Sequence, residues 1–194
     1  MSDLSVGCGV VRNAADSLDL RCALVGGFAV SVRAEPRFTR DVDLVVAVDD
    51  DRTAESLVRL LLDEGHTLVA NVEQEAVGRL ATSRIRLSGG ELVDVLFASS
   101  GIEHEVAAEA EPIEVLPGLD IPVAQVGHLI ALKLLARDDA TRPQDAGDLR
   151  VLIGVASEAE LGRAREAVNL IETRGFARDR DLVADLEALV SPAG

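Results

Sequence analysis

The chain has 194 residues, is 48% apolar, and carries 34 acidic against 19 basic side chains, for a net charge of −15. That apolar fraction excludes disorder and supports one domain with a helical appendage, or two small domains sharing a core. The charge excludes a broad coat for nucleic acid, which needs clustered Lys and Arg, and suits a cationic small substrate or a basic partner; a local basic mouth stays open.

In chain order, residues 6–18 read as an amphipathic helix and 22–25 as a short apolar strand, cut by Gly26-Gly27. A helix over 28–33 starts at that glycine pair and ends before Pro36, because the residue ahead of a proline is pushed out of the helical region. Residues 41–48 form a Val-rich strand with acids at its start. Asp49-Asp50-Asp51 then opens a helix that runs to about Glu64, negative charge being favoured at a helix N-terminus. Residues 67–72, 84–88 and 92–97 are further strands, the last two joined by a hairpin turn at Ser88-Gly89-Gly90-Glu91. A short helix over 102–110 follows, then extended segments at 113–116 and 121–123. From Ala124 the pattern turns helical, over 124–137, 144–153 (with Pro143 at its first turn), 161–174 and 181–190. This is a mixed sheet with helices, then a helical tail.

The N-terminal stretch mixes acids among its apolar residues, unlike a signal peptide, and no apolar run approaches the ~20 residues of a membrane helix. Cys8 and Cys22 lack the companions of a zinc site or a disulfide framework, and read as reduced thiols. The expected setting is cytoplasmic, with no membrane.

Asp41 and Asp43 stand at i and i+2, so on a strand they share one face about 7 Å apart at their bases. Like charges that close favour a cation between them, and two-metal sites use such shared carboxylates. Two solvated acids at a strand start are the alternative, but the following Leu44-Val45-Val46-Ala47-Val48 reads as a buried strand. Gly26-Gly27, between strand and helix, lets backbone N–H groups approach a phosphate. Asp94 lies in an apolar strand and calls for a partner or a metal, unless it faces water on an edge. Lys133 is the single lysine against 18 arginines, on a helix apolar on nearly every side. A compact point charge there suits a triphosphate, the alternative being a lysine that runs its stem along the core. Asp145 and Asp148, one turn apart, could each reach Lys133 or a substrate hydroxyl.

These pieces together resemble the minimal nucleotidyltransferases of the DNA polymerase β superfamily, and more narrowly the AbiEii family of toxins, including the Men-type toxins of mycobacteria. The matching residues are Gly26-Gly27, Arg37-x-Thr39-x-Asp41-x-Asp43, Asp94, Lys133-Leu134-Leu135-Ala136 and Arg142-Pro143-Gln144-Asp145-Ala146-Gly147-Asp148-Leu149, within about residues 22–150. The resemblance implies an α+β fold, with a polymerase-β-like core over 1–123 and a C-terminal helical region over 124–194. It implies metal binding by Asp41 and Asp43, with Asp94 as third ligand after the wider superfamily. It implies nucleotide contacts from Gly26, Gly27, Thr39, Arg40, Lys133 and Asp145, and catalytic roles for Asp41, Asp43, Lys133 and Asp148.

The expected reaction is in-line attack of an acceptor hydroxyl on the α-phosphorus of an NTP, with two Mg²⁺ ions (Mn²⁺ as the alternative) and release of pyrophosphate. The resemblance implies the 3′ end of tRNA as acceptor, and a toxin with a cognate antitoxin. Arg33, Arg37 and Arg40, with Arg79, Arg84 and Arg86, would form a narrow basic mouth for it, and Phe38 or arginine planes would stack its bases. The charge favours instead a cationic small molecule of the aminoglycoside type. A protein acceptor is a third class, and an inactive binding domain a fourth.

Overall fold

A computed structural model describes residues 3–36, 39, 41–74, 77–138 and 143–191. The elements are α1 (Asp3–Ser17), β1 (Cys22–Val25), α2 (Gly26–Arg33), β2 (Val42–Val46), α3 (Asp51–Asp63), β3 (Thr67–Gln74), β4 (Arg79–Arg86) and β5 (Leu92–Leu96). They continue as α4 (Glu103–Ala108), β6 (Glu111–Leu116), β7 (Leu119–Val123), α5 (Val126–Ala136), α6 (Pro143–Val155), α7 (Glu158–Thr173) and α8 (Leu182–Val190). The strands form one mixed sheet in the order β3-β4-β5-β2-β1-β7-β6. β2 runs parallel to β5 and antiparallel to β1, and β1 runs parallel to β7. The fold is α+β, as expected.

Local chemistry accounts for the boundaries. The Asp50 side chain accepts the Thr53 N–H and caps α3, whose apolar stripe Ala54, Leu57, Val58 and Leu61 repeats at helical spacing and is buried. Gly65, at φ +89°, ends that helix. The strand expected over 41–48 is shorter, because its pairing to β5 starts at Val42 opposite Val93; Asp41 stands just outside it and is exposed. β4 is longer than the expected 84–88. Its first half buries the consecutive residues Leu80 and Ala81, which hides the alternation of a half-buried strand.

The two faces of the central strands are used differently. Leu44, Val45 and Val46 are fully buried, each side chain worth about 1.5–3 kcal/mol over exposure. Gly7 of α1 lies against the side chains of Val42 and Val93, so closely that a Cβ there would meet them at 3.2 and 3.0 Å. By strand alternation Asp43 and Asp94 therefore point to the opposite face, where α5 closes over them. The core thus sets the register of β2 and β5, and the register carries two acids to the face away from α1.

Cys8 and Cys22 are free and buried, and burial pushes their thiols up to about 12 and about 11. Among the described residues no helix is long and apolar enough to cross a membrane.

Candidate active site

Asp43 and Asp94 are direct partners in the parallel β2–β5 ladder, and Asp43 sits opposite Val25 on its other side. Val25 leads into Gly26, which takes φ +65° as the first residue of α2. A Cβ built on Gly26 would overlap the Asp43 carboxylate. The glycine is therefore required twice, for its left-handed backbone and for the close approach of an acid. Gly26→Ala should lower the transition temperature by several degrees, since the left-handed conformation alone costs about 1–2 kcal/mol. It should also displace Asp43 and cost activity. Thermal melting alongside a rate measurement checks this, and a variant with wild-type values in both would refute the steric account.

These residues open onto a cavity of about 250 Å³. Gly26, Asp43 and Asp94 form one wall, and Leu129, Leu132 and Lys133 of α5 form the other. Thr82, Ser99, Ser100 and Arg178 also line it. Ser99 and Ser100 are fixed by Glu103, one of whose carboxylate oxygens accepts their backbone N–H and hydroxyl groups at 2.7–3.0 Å.

Lys133 Nζ lies 2.8 Å from Asp145 and 2.8 Å from Asp148, whose side chains are only 2% and 4% exposed. The two acids stand at i and i+3 on α6, so one helix face delivers both. The choice between Asp145 and Asp148 left open by the sequence resolves as both: each reaches Lys133, and neither lines the cavity. The ammonium donates a hydrogen bond to Asp145 and forms an ion pair with Asp148, and Lys133 itself lines the cavity. The lysine is thus a cation mounted on two buried carboxylates.

Asp94 has a partner. Arg84, opposite it on β4, donates from Nε to Oδ1 at 2.7 Å and from Nη2 to Oδ2 at 2.6 Å. Gly27 is buried in the first turn of α2. The Thr39 hydroxyl bonds the Asp41 carbonyl at 3.4 Å. Arg37, Phe38, Arg40 and Arg142 lie outside the described residues.

Three of the six arginines expected to form a basic mouth are engaged by acids or carbonyls. Arg33 bonds Glu111 and the carbonyls of Val123 and Ala124, Arg79 bonds Asp51, and Arg84 bonds Asp94. Among the described residues that line the cavity, Arg178 is a second cation beside Lys133, in the turn between α7 and α8, where it and Asp179 have φ +55° and +59°. Sequence reasoning missed it because the tail carries no motif. Non-glycine residues at positive φ are a signal of special geometry that only coordinates reveal.

A larger cavity of about 440 Å³ lies between α4, α5 and α7. Two of its three acids, Glu105 and Glu109, are paired with Arg174 and Arg163, and it holds none of the residues above. Chemistry, not size, selects the smaller one.

Among the described residues no three or more His, Cys, Asp or Glu side chains converge on a point that could hold a metal ion. That argues against a closed structural metal cage. It fits Mg²⁺, which is held by one or two carboxylates and keeps positions for substrate phosphates. Asp43 and Asp94 abreast, beside an uncapped helix start, are such a donor set.

No curated protein matches the chain in sequence. Its fold is similar to that of an antigenic nucleotidyltransferase-like protein from Paracoccidioides brasiliensis, at 23% identity and a TM-score of 0.54, covering 97% of this chain and 94% of that one. It is also similar to the complex of ANT(2")-Ia with adenylyl-2"-tobramycin, at 16% identity and a TM-score of 0.57, covering 89% of this chain and 99% of that one. At these identities the likeness establishes the fold. In sequence, residues 10–191 match the nucleotidyl transferase AbiEii toxin family of type IV toxin–antitoxin systems, and the chain belongs to that family.

Proposed function

We propose that this nucleotidyltransferase moves a nucleoside monophosphate from an NTP to the 3′ end of tRNA in a Mg²⁺-dependent reaction, as the toxin of a pair with a cognate antitoxin. The observation that carries the reading is the in-register facing of Asp43 and Asp94 above Gly26, across a cavity from Lys133. Asp43 and Asp94 are the residues that would hold the metal, with Asp41 exposed just before β2. When bound, Mg²⁺ polarises phosphoryl oxygens and lowers the pKa of the attacking hydroxyl.

The chain's own groups do the positioning. Val25, the residue before α2, gives no side-chain cap, so the first N–H groups of the helix are open to a phosphate. Lys133 provides a point charge whose stem is held in place by Asp145 and Asp148. Leu129, Leu132 and Leu135 make one wall apolar, which excludes water and strengthens charge–charge interactions within the cavity. Thr39 and Arg40, before the acids, would extend the nucleotide contacts.

Arg178 is the second phosphate contact in this reading. A charge-assisted hydrogen bond is worth about 1.5–3 kcal/mol, so Arg178→Ala should raise the KM for NTP about 10- to 100-fold. The kcat should stay near wild type, because the contact binds ground and transition states alike. Steady-state kinetics checks it, and an unchanged KM would remove Arg178 from the site.

A cationic small-molecule acceptor is the second reading. The net charge of −15 and the engagement of Arg33, Arg79 and Arg84 with acids or carbonyls favour it. The test offers the enzyme tRNA, periodate-oxidised tRNA lacking its terminal diol, an aminoglycoside and a basic protein, with NTP labelled on the α-phosphate. Label on intact but not oxidised tRNA supports the first reading. Label on the aminoglycoside or the protein replaces it.

A further inference from the structure

We propose that Arg84 is a resident counter-cation of the carboxylate cluster, which a divalent cation must displace from Asp94. The proposal rests on the metal reading above. Three residues stand abreast on one sheet face, because Arg84 pairs with Asp94 across β4–β5 and Asp94 pairs with Asp43 across β5–β2. The guanidinium donates one hydrogen bond to each oxygen of Asp94, at 2.7 and 2.6 Å. This two-pronged geometry occupies the open edge of the carboxylate, the edge a metal ion would also use.

The other charges that act on Arg84 are Asp41 and Asp43. Without Arg84 the neighbouring carboxylates would repel more strongly, a repulsion that a metal ion relieves.

The pair is also displaceable. The Arg84 side chain is 46% exposed, on the sheet face reached from solvent, and exposed ion pairs hold weakly. Asp94 is only 17% exposed and stays on its strand, so the arginine is the member free to swing away. Arg84 is thus a positioning residue that keeps the cluster charge-balanced and sets the metal concentration at which the site loads.

The test is direct Mn²⁺ binding, by electron paramagnetic resonance or calorimetry, to the full chain and to Arg84→Ala, Arg84→Lys and Asp43→Asn. Removing a unit positive charge a few ångströms from the ion should tighten binding about tenfold in Arg84→Ala. Arg84→Lys, which keeps the charge but loses the fork, should fall between that and wild type. Equal or weaker binding in Arg84→Ala overturns the proposal while leaving the metal reading in place, provided that Asp43→Asn loses the ion. Asp43→Asn binding like wild type, or no Mn²⁺ bound by any variant, overturns the metal reading and the proposal with it. Circular dichroism of each variant checks that the sheet is intact, and Arg84→Lys keeps the test decisive if the alanine variant does not fold.

Discussion

Asp43→Asn should yield a folded protein whose nucleotidyl transfer is lower by about 10³-fold, the loss typical of removing one preorganised group that stabilises developing charge. Asparagine has nearly the shape of aspartate, so the packing against Gly26 survives while the charge does not. Stability should hold or rise slightly, because Asp94 stands beside Asp43 in register and loses a like-charged neighbour. Rate and thermal transition measured on one preparation separate the effects. Activity within tenfold of wild type would take Asp43 out of the chemistry. A collapse of stability would give it a structural role instead.

Lys133→Ala should destabilise the protein by about 3–5 kcal/mol, the cost of removing one member of a buried ion-paired cluster. Asp145 and Asp148 are both nearly inaccessible to water and both lie 2.8 Å from the ammonium. For a chain of this length that loss corresponds to a transition lower by about 10 °C or more. The sequence alone led to the expectation of weakened NTP use; the two buried acids add a stability effect to it. The combination Lys133→Met, Asp145→Asn and Asp148→Asn separates the two. It should recover most of the stability, since a neutral cluster needs no ammonium, but not the transfer activity. Denaturant unfolding of both variants checks this. A single variant as stable as wild type would show that the acids do not depend on Lys133.

Much of this site was legible in the sequence, for a physical reason. Gly26-Gly27, Asp43 and the Lys133 to Asp148 segment depend on local geometry, a turn, a strand and a helix repeat, whereas Asp41 falls just outside its expected strand. Buried strand and helix faces also follow from periodicity, so the order of elements was readable. What the sequence hid depends on register and burial. Arg84 and Asp94 are ten residues apart on neighbouring strands, and only the β4–β5 register brings them together. The same register turns an expected phosphate contact into a carboxylate partner. Arg178 reaches the cavity because the α7–α8 turn folds back over α5, where Arg180 bonds the carbonyl of Leu134 at 2.8 Å. Nothing in the composition of the tail reports that packing. The burial of Asp145 and Asp148 was equally invisible, because acids early in a helix usually face solvent.

The central claim is that the cavity between β2, β5 and α5 transfers a nucleoside monophosphate. Its most direct test compares NTP labelled on the α-phosphate with NTP labelled on the γ-phosphate, in Mg²⁺ with tRNA. The account predicts α-label on the tRNA, γ-label released as pyrophosphate, and neither in the presence of a chelator or in Asp43→Asn. γ-Label on the acceptor, or transfer undiminished in Asp43→Asn, would contradict it.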